Sequence, residues 1–439
     1  MKSANVHMRF FVAFLALSST LLSAPGEDAA PASPPTLTVP SAAVNADPET
    51  ATRAWLDTVP ADKKARSDAY FEGGYWLIFW NFVVSAAISL LLLNTGVSAR
   101  IRDFAERRTR FRSLQVIVYG VAYLLLTSAL SFPLSLYEYF FREHTYGLST
   151  QAFGAWFGEQ IKGLGLALIG FSVLLLALYA VFRRAPRTWW IWGTAVTVAF
   201  LAIGALIAPV FVEPVFNKYK PLDDPAISEP ILAMARANQI PVKQVFEVDA
   251  SKQSNRVSAN VAGFLGTTRI ALNDNLLKQC SVPEIRYVMA HEMGHYVLNH
   301  IAKLLVDFSL MAFIAFGIAR LVFEAAVQRW GDRWGVRGIA DPAGLPLLAL
   351  VFATISFLMT PVNNTVTRIA EVEADAFGIN TSREASGMAA VALKLGTYRK
   401  LDPTSLEEFI FFDHPSGRAR IRMAMDWQAA HLPAGEAVP

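Results

Sequence analysis

The sequence predicts a mainly α fold: a multi-pass helical membrane protein with a small α+β domain that two transmembrane helices split. Three observations carry this. The 439 residues are 54% hydrophobic and only 17% charged, with a mean hydropathy of +0.35, a balance typical of membrane proteins. Six apolar stretches are suited to a hydrocarbon core of ~30 Å as helices, five at full length and one short. Between the fourth and fifth stretches, and again after the sixth, the chain turns charged and mixed in pattern.

Residues 1–24 begin with Lys2 and Arg9, run apolar from Phe10 to Leu22 and end on Ser23 and Ala24. This is the pattern of a signal peptide or of an uncleaved N-terminal anchor. Residues 25–54, rich in Ala, Pro and Ser, read as a disordered linker. Residues 55–212 form a membrane domain of four spans, about Tyr75–Leu93, Val116–Leu136, Leu164–Val181 and Trp189–Val212. Tyr75, Trp76, Trp189, Trp190 and Trp192 stand at their ends, where aromatic rings favour the membrane–water interface.

Residues 213–302 hold the first half of the soluble domain. Strand-like Gln244–Val248 and Arg269–Leu272 alternate there with helical Glu229–Ala237 and Pro283–His300. Residues 303–360 supply two more spans, Leu304–Phe323 and Leu345–Met359, the second short enough to tilt. Residues 361–430 return as soluble helix, and 431–439 form a tail. The two soluble halves must therefore meet in space across a membrane hairpin.

Composition also excludes. A net charge of +3, with no basic run interleaved with aromatics, argues against a nucleic-acid partner. The single cysteine, Cys280, leaves no intrachain disulfide and no cysteine-rich metal site, and reads as a small buried apolar residue.

One stretch carries chemistry. His291-Glu292-Met293-Gly294-His295 reads H-E-x-x-H. On a helix, His291 and His295 share a face and can hold one metal ion between their imidazoles, with Glu292 turned to the open coordination position. Helix context is present: Ser281 and Glu284 have capping-box spacing, and Pro283 suits a first turn. The plain alternative is two histidines on a buried helix face. A catalytic zinc with two histidines and a water lacks one protein ligand. The second soluble half offers Glu371 and Asp375, four apart on one helix face, while Glu373 points elsewhere. Two acids beside apolar residues are costly unless paired or metal-bound; otherwise the stretch is a solvated acidic face.

With these residues the sequence resembles the type I CAAX prenyl endopeptidases, integral-membrane zinc proteases of the gluzincin kind. The resemblance includes Leu134-Ser135-Leu136-Tyr137 with Phe140, then Pro209-Val210-Phe211 and the run from Pro214 to Asp224. It continues through Val248-Asp249-Ala250-Ser251-Lys252, Arg269-Ile270-Ala271-Leu272 and the H-E-x-x-H stretch. It ends with Asn364, Thr367-Arg368, Glu371, Ala374-Asp375, His414-Pro415 and Arg420. The resemblance implies a zincin-like catalytic domain with one Zn2+ per chain on His291, His295 and Glu371, and Glu292 as general base. It implies that Asp375 orients a ligand histidine or helps the leaving group, and that His414 and Arg420 lie near the scissile carbonyl and the substrate chain. Two departures stand out. Val257-Ser258-Ala259-Asn260 replaces the usual Ser-Asn-Ala-Tyr, so Ser258 and Asn260 become the candidate substrate contacts, and Thr367 replaces a serine. The peptide is expected to add as an extended strand along an edge near Ser258–Leu272.

Arginines cluster in three loops: Arg100, Arg102, Arg107, Arg108, Arg110 and Arg112; then Arg183, Arg184 and Arg187; then Arg329, Arg333 and Arg337. Counting spans puts all three on one side, which the positive-inside rule makes cytoplasmic in a bacterial inner membrane, with catalytic segments facing out. The family's eukaryotic members imply the opposite face, and membrane lipids are a second partner for these arginines. The expected activity is hydrolysis of peptide or protein substrates, lipidated or membrane-inserted. One alternative is broad quality control of membrane proteins. Another, from a different class, is a transporter or non-catalytic scaffold, which would place acids or glycine breaks within the spans.

Overall fold

The computed structural model describes residues 36–262 and 268–431. The signal-like start, residues 25–35 of the Ala/Pro-rich stretch and the tail from residue 432 lie outside the described residues. Regular structure begins before residue 55. Helix α1 (Pro48–Leu56) starts where the Asp47 carboxylate accepts from the backbone N–H of Glu49 and Thr50, each at 3.1 Å. Ala51 and Trp55 then pack into the soluble core. The Asp47-Pro48 start signal was hidden inside biased composition.

Long helices follow: α2 (Ala61–Asn94), the short interfacial α3 (Val97–Arg108), α4 (Arg112–Leu136), α5 (Phe153–Arg184) and α6 (Trp189–Ile207). α4 runs on through a π-helical turn at Tyr137–Phe141 to Thr145. All but α3 are long and apolar enough to cross a membrane. Their shared core is aromatic, with Tyr119, Tyr123, Phe171, Tyr179, Phe182 and Trp189 buried against Phe316 and Phe323. The outward faces are apolar as well, Ile169 being 67% exposed, as a lipid-facing surface requires.

The soluble region opens with β1 (Tyr219–Pro221) and α7 (Pro225–Ala237), continues through β2 (Val245–Val248), β3 (Ala259–Ala262) and β4 (Arg269–Asn273), and leads through α8 (Asp274–Gln279) to α9 (Val282–Val297). Sheet order is β1-β2-β4-β3. β2 and β4 are parallel, and the flanking pairs are antiparallel. β3 is thus an edge strand.

The chain then enters the membrane as α10 (His300–Trp334), a fifth helix of spanning length. It returns through α11 (Leu345–Leu358) and α12 (Thr360–Ser382), bent by 57° where Pro361 removes a backbone donor. The segment expected as a short span, Leu345–Met359, coincides with α11, and the bent pair α11–α12 together has the length and composition of a sixth span. Helices α13 (Ala385–Leu395), α14 (Ser405–Phe411) and α15 (Gly417–His431) close the domain. Ile231, Met289, Met293, Met388, Ile421 and Met425 share one buried cluster, so the halves do reunite across the hairpin.

At the opposite end of the spans the first and last of the arginine loops are tied together. Arg102 Nη1 lies 2.6 Å from Asp341 Oδ2, both nearly buried, and Arg337 Nη1 lies 2.7 Å from Glu106 Oε1. Breaking a buried ion pair strands a charge, at a cost of about 3–5 kcal/mol. Arg102→Met is therefore expected to lower the unfolding midpoint in detergent, with partial recovery when Asp341→Leu is added. An unchanged midpoint in the single variant would show that the pair contributes nothing.

Candidate metal centre

The centre is built where α9 and α12 touch. α9 starts from Ser281, whose backbone N–H donates to Glu284 Oε2 at 2.6 Å, the expected capping box. From Val288 to Gly294 every residue of α9 is buried, so the motif is carried into the domain interior. The helix ends at Val297, Asn299 takes the left-handed conformation at φ 56°, and α10 begins at His300. The expected helix to His300 therefore breaks after Val297, with a left-handed residue before the next helix.

Close approach of α9 and α12 needs small residues. A Cβ built on Gly378 would stand 3.0 Å from the backbone nitrogen of His291 and 3.1 Å from its Cα, and one on Gly294 would stand 3.3 Å from the Cα of Ala374. This seam lets a carboxylate one helix away reach the histidines.

His291 Nε2 and His295 Nε2 are 3.1 Å apart. Glu371 Oε2 is 3.4 Å from His291 Nε2, and its Oε1 is 3.5 Å from His295 Nε2. Ligands at zinc distances of ~2.0–2.1 Å with tetrahedral angles stand about 3.3 Å from one another. The triangle fits a single divalent cation. Burial pushes the His291 imidazole down, but the carboxylates of Asp375 and Glu371 outweigh it and hold it up at about 9. Burial and the neighbouring His291 charge push His295 down to about 4. The carboxylates around the pair thus favour a positive charge there, the place a cation would take.

A supporting layer surrounds the triangle. Asp375 Oδ1 lies 2.8 Å from His291 Nδ1 and accepts from the Tyr287 hydroxyl, also at 2.8 Å. Arg420 Nε donates to Asp375 Oδ2 at 2.7 Å, and its Nη2 reaches Glu371 Oε2 at 3.2 Å. Arg420 is only 4% exposed. Its guanidinium is held by the two buried carboxylates of Asp375 and Glu371. Asp375 is fully buried against the Nδ1 edge of His291. His414 is buried, with Nε2 3.2 Å from Glu371 Oε2 and Nδ1 2.8 Å from Asp413 Oδ1. Burial and the charge of Arg399 lower its pKa.

Ser258 and Asn260 lie on the strand side. The Ser258 N–H donates to Asn273 Oδ1 at 3.0 Å. Asn260 pairs with Ala271 in the β3–β4 register, and its Oδ1 is buried without a hydrogen bond. β3 packs along α9. Tyr287 and Gly378 escaped the sequence reading, although Tyr287 stands one turn before His291 on the same face.

Residues 221–428 match peptidase family M48, and residues 46–218 match the CAAX prenyl protease N-terminal region, described as five membrane helices. The metalloprotease YhfN of Bacillus subtilis is 30% identical over 362 residues, which make up 82% of this chain and 85% of YhfN. CAAX prenyl protease 1 of Saccharomyces cerevisiae is 33% identical over 223 residues, 49% of each chain. The crystal structure of S. mikatae Ste24p aligns at a TM-score of 0.69 with 22% identity, covering 84% of this chain and 90% of that one, a likeness of fold. Family matches to both the membrane region and the peptidase domain, with a metalloprotease relative alike over most of both chains, leave one conclusion: this chain belongs to peptidase family M48 and is a membrane metalloendopeptidase.

Proposed function

We propose that His291, His295 and Glu371 hold one zinc ion and that Glu292 is the general base of peptide hydrolysis. The observation that carries this is the triangle of ligand atoms with edges of 3.1–3.5 Å. A bound zinc supplies an acidified water and polarises the peptide carbonyl. Glu292, next to the first ligand, takes the water's proton and returns it to the leaving amine. Asp375 and Tyr287 fix the ring of His291, and Arg420 fixes both carboxylates. His414 is the donor for the developing oxyanion. The substrate is an extended peptide laid along the free edge of β3, past Ser258 and Asn260.

Purified protein is expected to carry about one zinc per chain, to lose peptidase activity on chelation and to regain it with zinc. Protein that hydrolyses peptides equally well after its metal is stripped would defeat the assignment.

By likeness to relatives named CAAX prenyl proteases, the substrate would be a lipidated, membrane-tethered protein. The arginine loops favour a second reading. By the positive-inside rule they support a centre on the non-cytoplasmic side of a bacterial inner membrane, where broad cleavage of membrane proteins fits better. A reporter fused after Pro439 is expected to be active only in its extracytoplasmic form; activity only in a cytoplasmic reporter would return the first reading.

A further inference from the structure

We propose that His300 and Glu373 form a relay that fixes the ring of the ligand His295 from behind, with His300 as a positioning residue. This rests on the zinc reading above. His295 Nδ1 and His300 Nδ1 are 2.9 Å apart. His300 Nε2 stands 3.0 Å from Glu373 Oε2, and Lys303 Nζ holds the same oxygen at 2.7 Å. His300 is buried, whereas the Glu373 and Lys303 side chains are 43% and 53% exposed. The chain of contacts runs from the metal centre to the surface.

The protons have one consistent order. An imidazole that gives Nε2 to a metal carries its proton on Nδ1. His295 therefore donates from Nδ1, and His300 must accept at its own Nδ1. The remaining proton of His300 is then on Nε2, where the Glu373 carboxylate accepts it. Lys303 keeps that carboxylate in place. The acid that shared no face with Glu371 and Asp375 thus serves the other ligand.

The contacts join three elements: His295 on α9, His300 at the start of α10, and Glu373 on α12. Asn299, left-handed at φ 56°, turns the chain so that His300 comes back under His295. Asn is among the few residues that take this conformation at small cost. Both arms of the membrane hairpin are thereby clamped to one ligand.

The test uses detergent-purified full-length protein and four forms: wild type, His300→Leu, His300→Asn and His300→Gln. The amide of Asn reaches the position of imidazole Nδ1 and can accept from His295, while that of Gln reaches the position of Nε2 and meets only Glu373. Zinc affinity is read by competition with a chromophoric chelator, and the ligand field by absorption of the Co2+-substituted protein. Leu and Gln are expected to weaken zinc about 10–100-fold and shift the Co2+ bands, while Asn, which keeps the contact to His295 and loses the one to Glu373, loses less than either. Equal losses in Asn and Gln would mean a structural role only and overturn the relay, as would wild-type affinity in all three variants. Should His300→Leu fail to fold, the Asn and Gln pair decides alone. Wild-type protein that binds no zinc would instead sink the ligand assignment, and the relay with it.

Discussion

Glu292→Gln is expected to keep its zinc and lose hydrolysis, by about 10²–10⁴-fold or more, whereas Glu371→Ala is expected to lose both. The two residues differ in place, not in chemistry. Glu371 closes the triangle with His291 and His295 at 3.4–3.5 Å, so deleting its carboxylate removes one of three protein ligands. It also takes from Arg420 the carboxylate that its Nη2 reaches at 3.2 Å, while the contact to Asp375 remains. Glu292 follows His291 by one residue on a buried helix and stands outside the triangle. Gln fills the same volume and still offers a carbonyl oxygen, but it cannot accept and return a proton at neutral pH. Bound zinc and turnover, measured on the same preparations, check the contrast. Full activity in Glu292→Gln would remove it as the base, and stoichiometric zinc in Glu371→Ala would remove that residue as a ligand.

The parts legible in the sequence were those with a periodic or chemical signature. Apolar stretches marked the membrane helices because lipid demands about twenty apolar residues in a row. H-E-x-x-H marked α9 because two ligands on one helix face must be four apart. The third ligand needed a second motif from beyond the hairpin, and the pairing could only be tested by the fold. Weak signals hid the rest. β3 has the sequence Ala259-Asn260-Val261-Ala262, with a single β-branched residue, and β1 ends in Pro221, so neither reads as a strand from propensity. The break between α9 and α10 rests on Asn299, and one asparagine beside an apolar run is a faint stop signal. Arg420 was expected beside the substrate. Its place behind Asp375 and Glu371 depends on how α15 packs, which no local pattern shows.

Gly378 makes the sharpest demand on packing. Gly378→Val is expected to abolish tight zinc binding without changing any ligand. The missing side chain of Gly378 faces backbone: a Cβ there would meet the nitrogen of His291 at 3.0 Å and its Cα at 3.1 Å. Backbone in the middle of a buried helix cannot swing aside as a flexible side chain can, so α12 must move away from α9. Glu371 and Asp375 lie two turns and one turn earlier on α12 and move with it. Metal sites tolerate about 0.2 Å of error in ligand distance, so a shift near an ångström opens the triangle. Overpacking of this kind costs roughly 1–3 kcal/mol, which leaves a folded protein to assay. Gly378→Ala should show the same defect in weaker form. Gly158→Ala on α5, where an added Cβ meets nothing within 4 Å, is the control and should bind zinc as wild type does. Wild-type zinc affinity in a folded Gly378→Val protein would mean that the α9–α12 seam does not set the reach of Glu371.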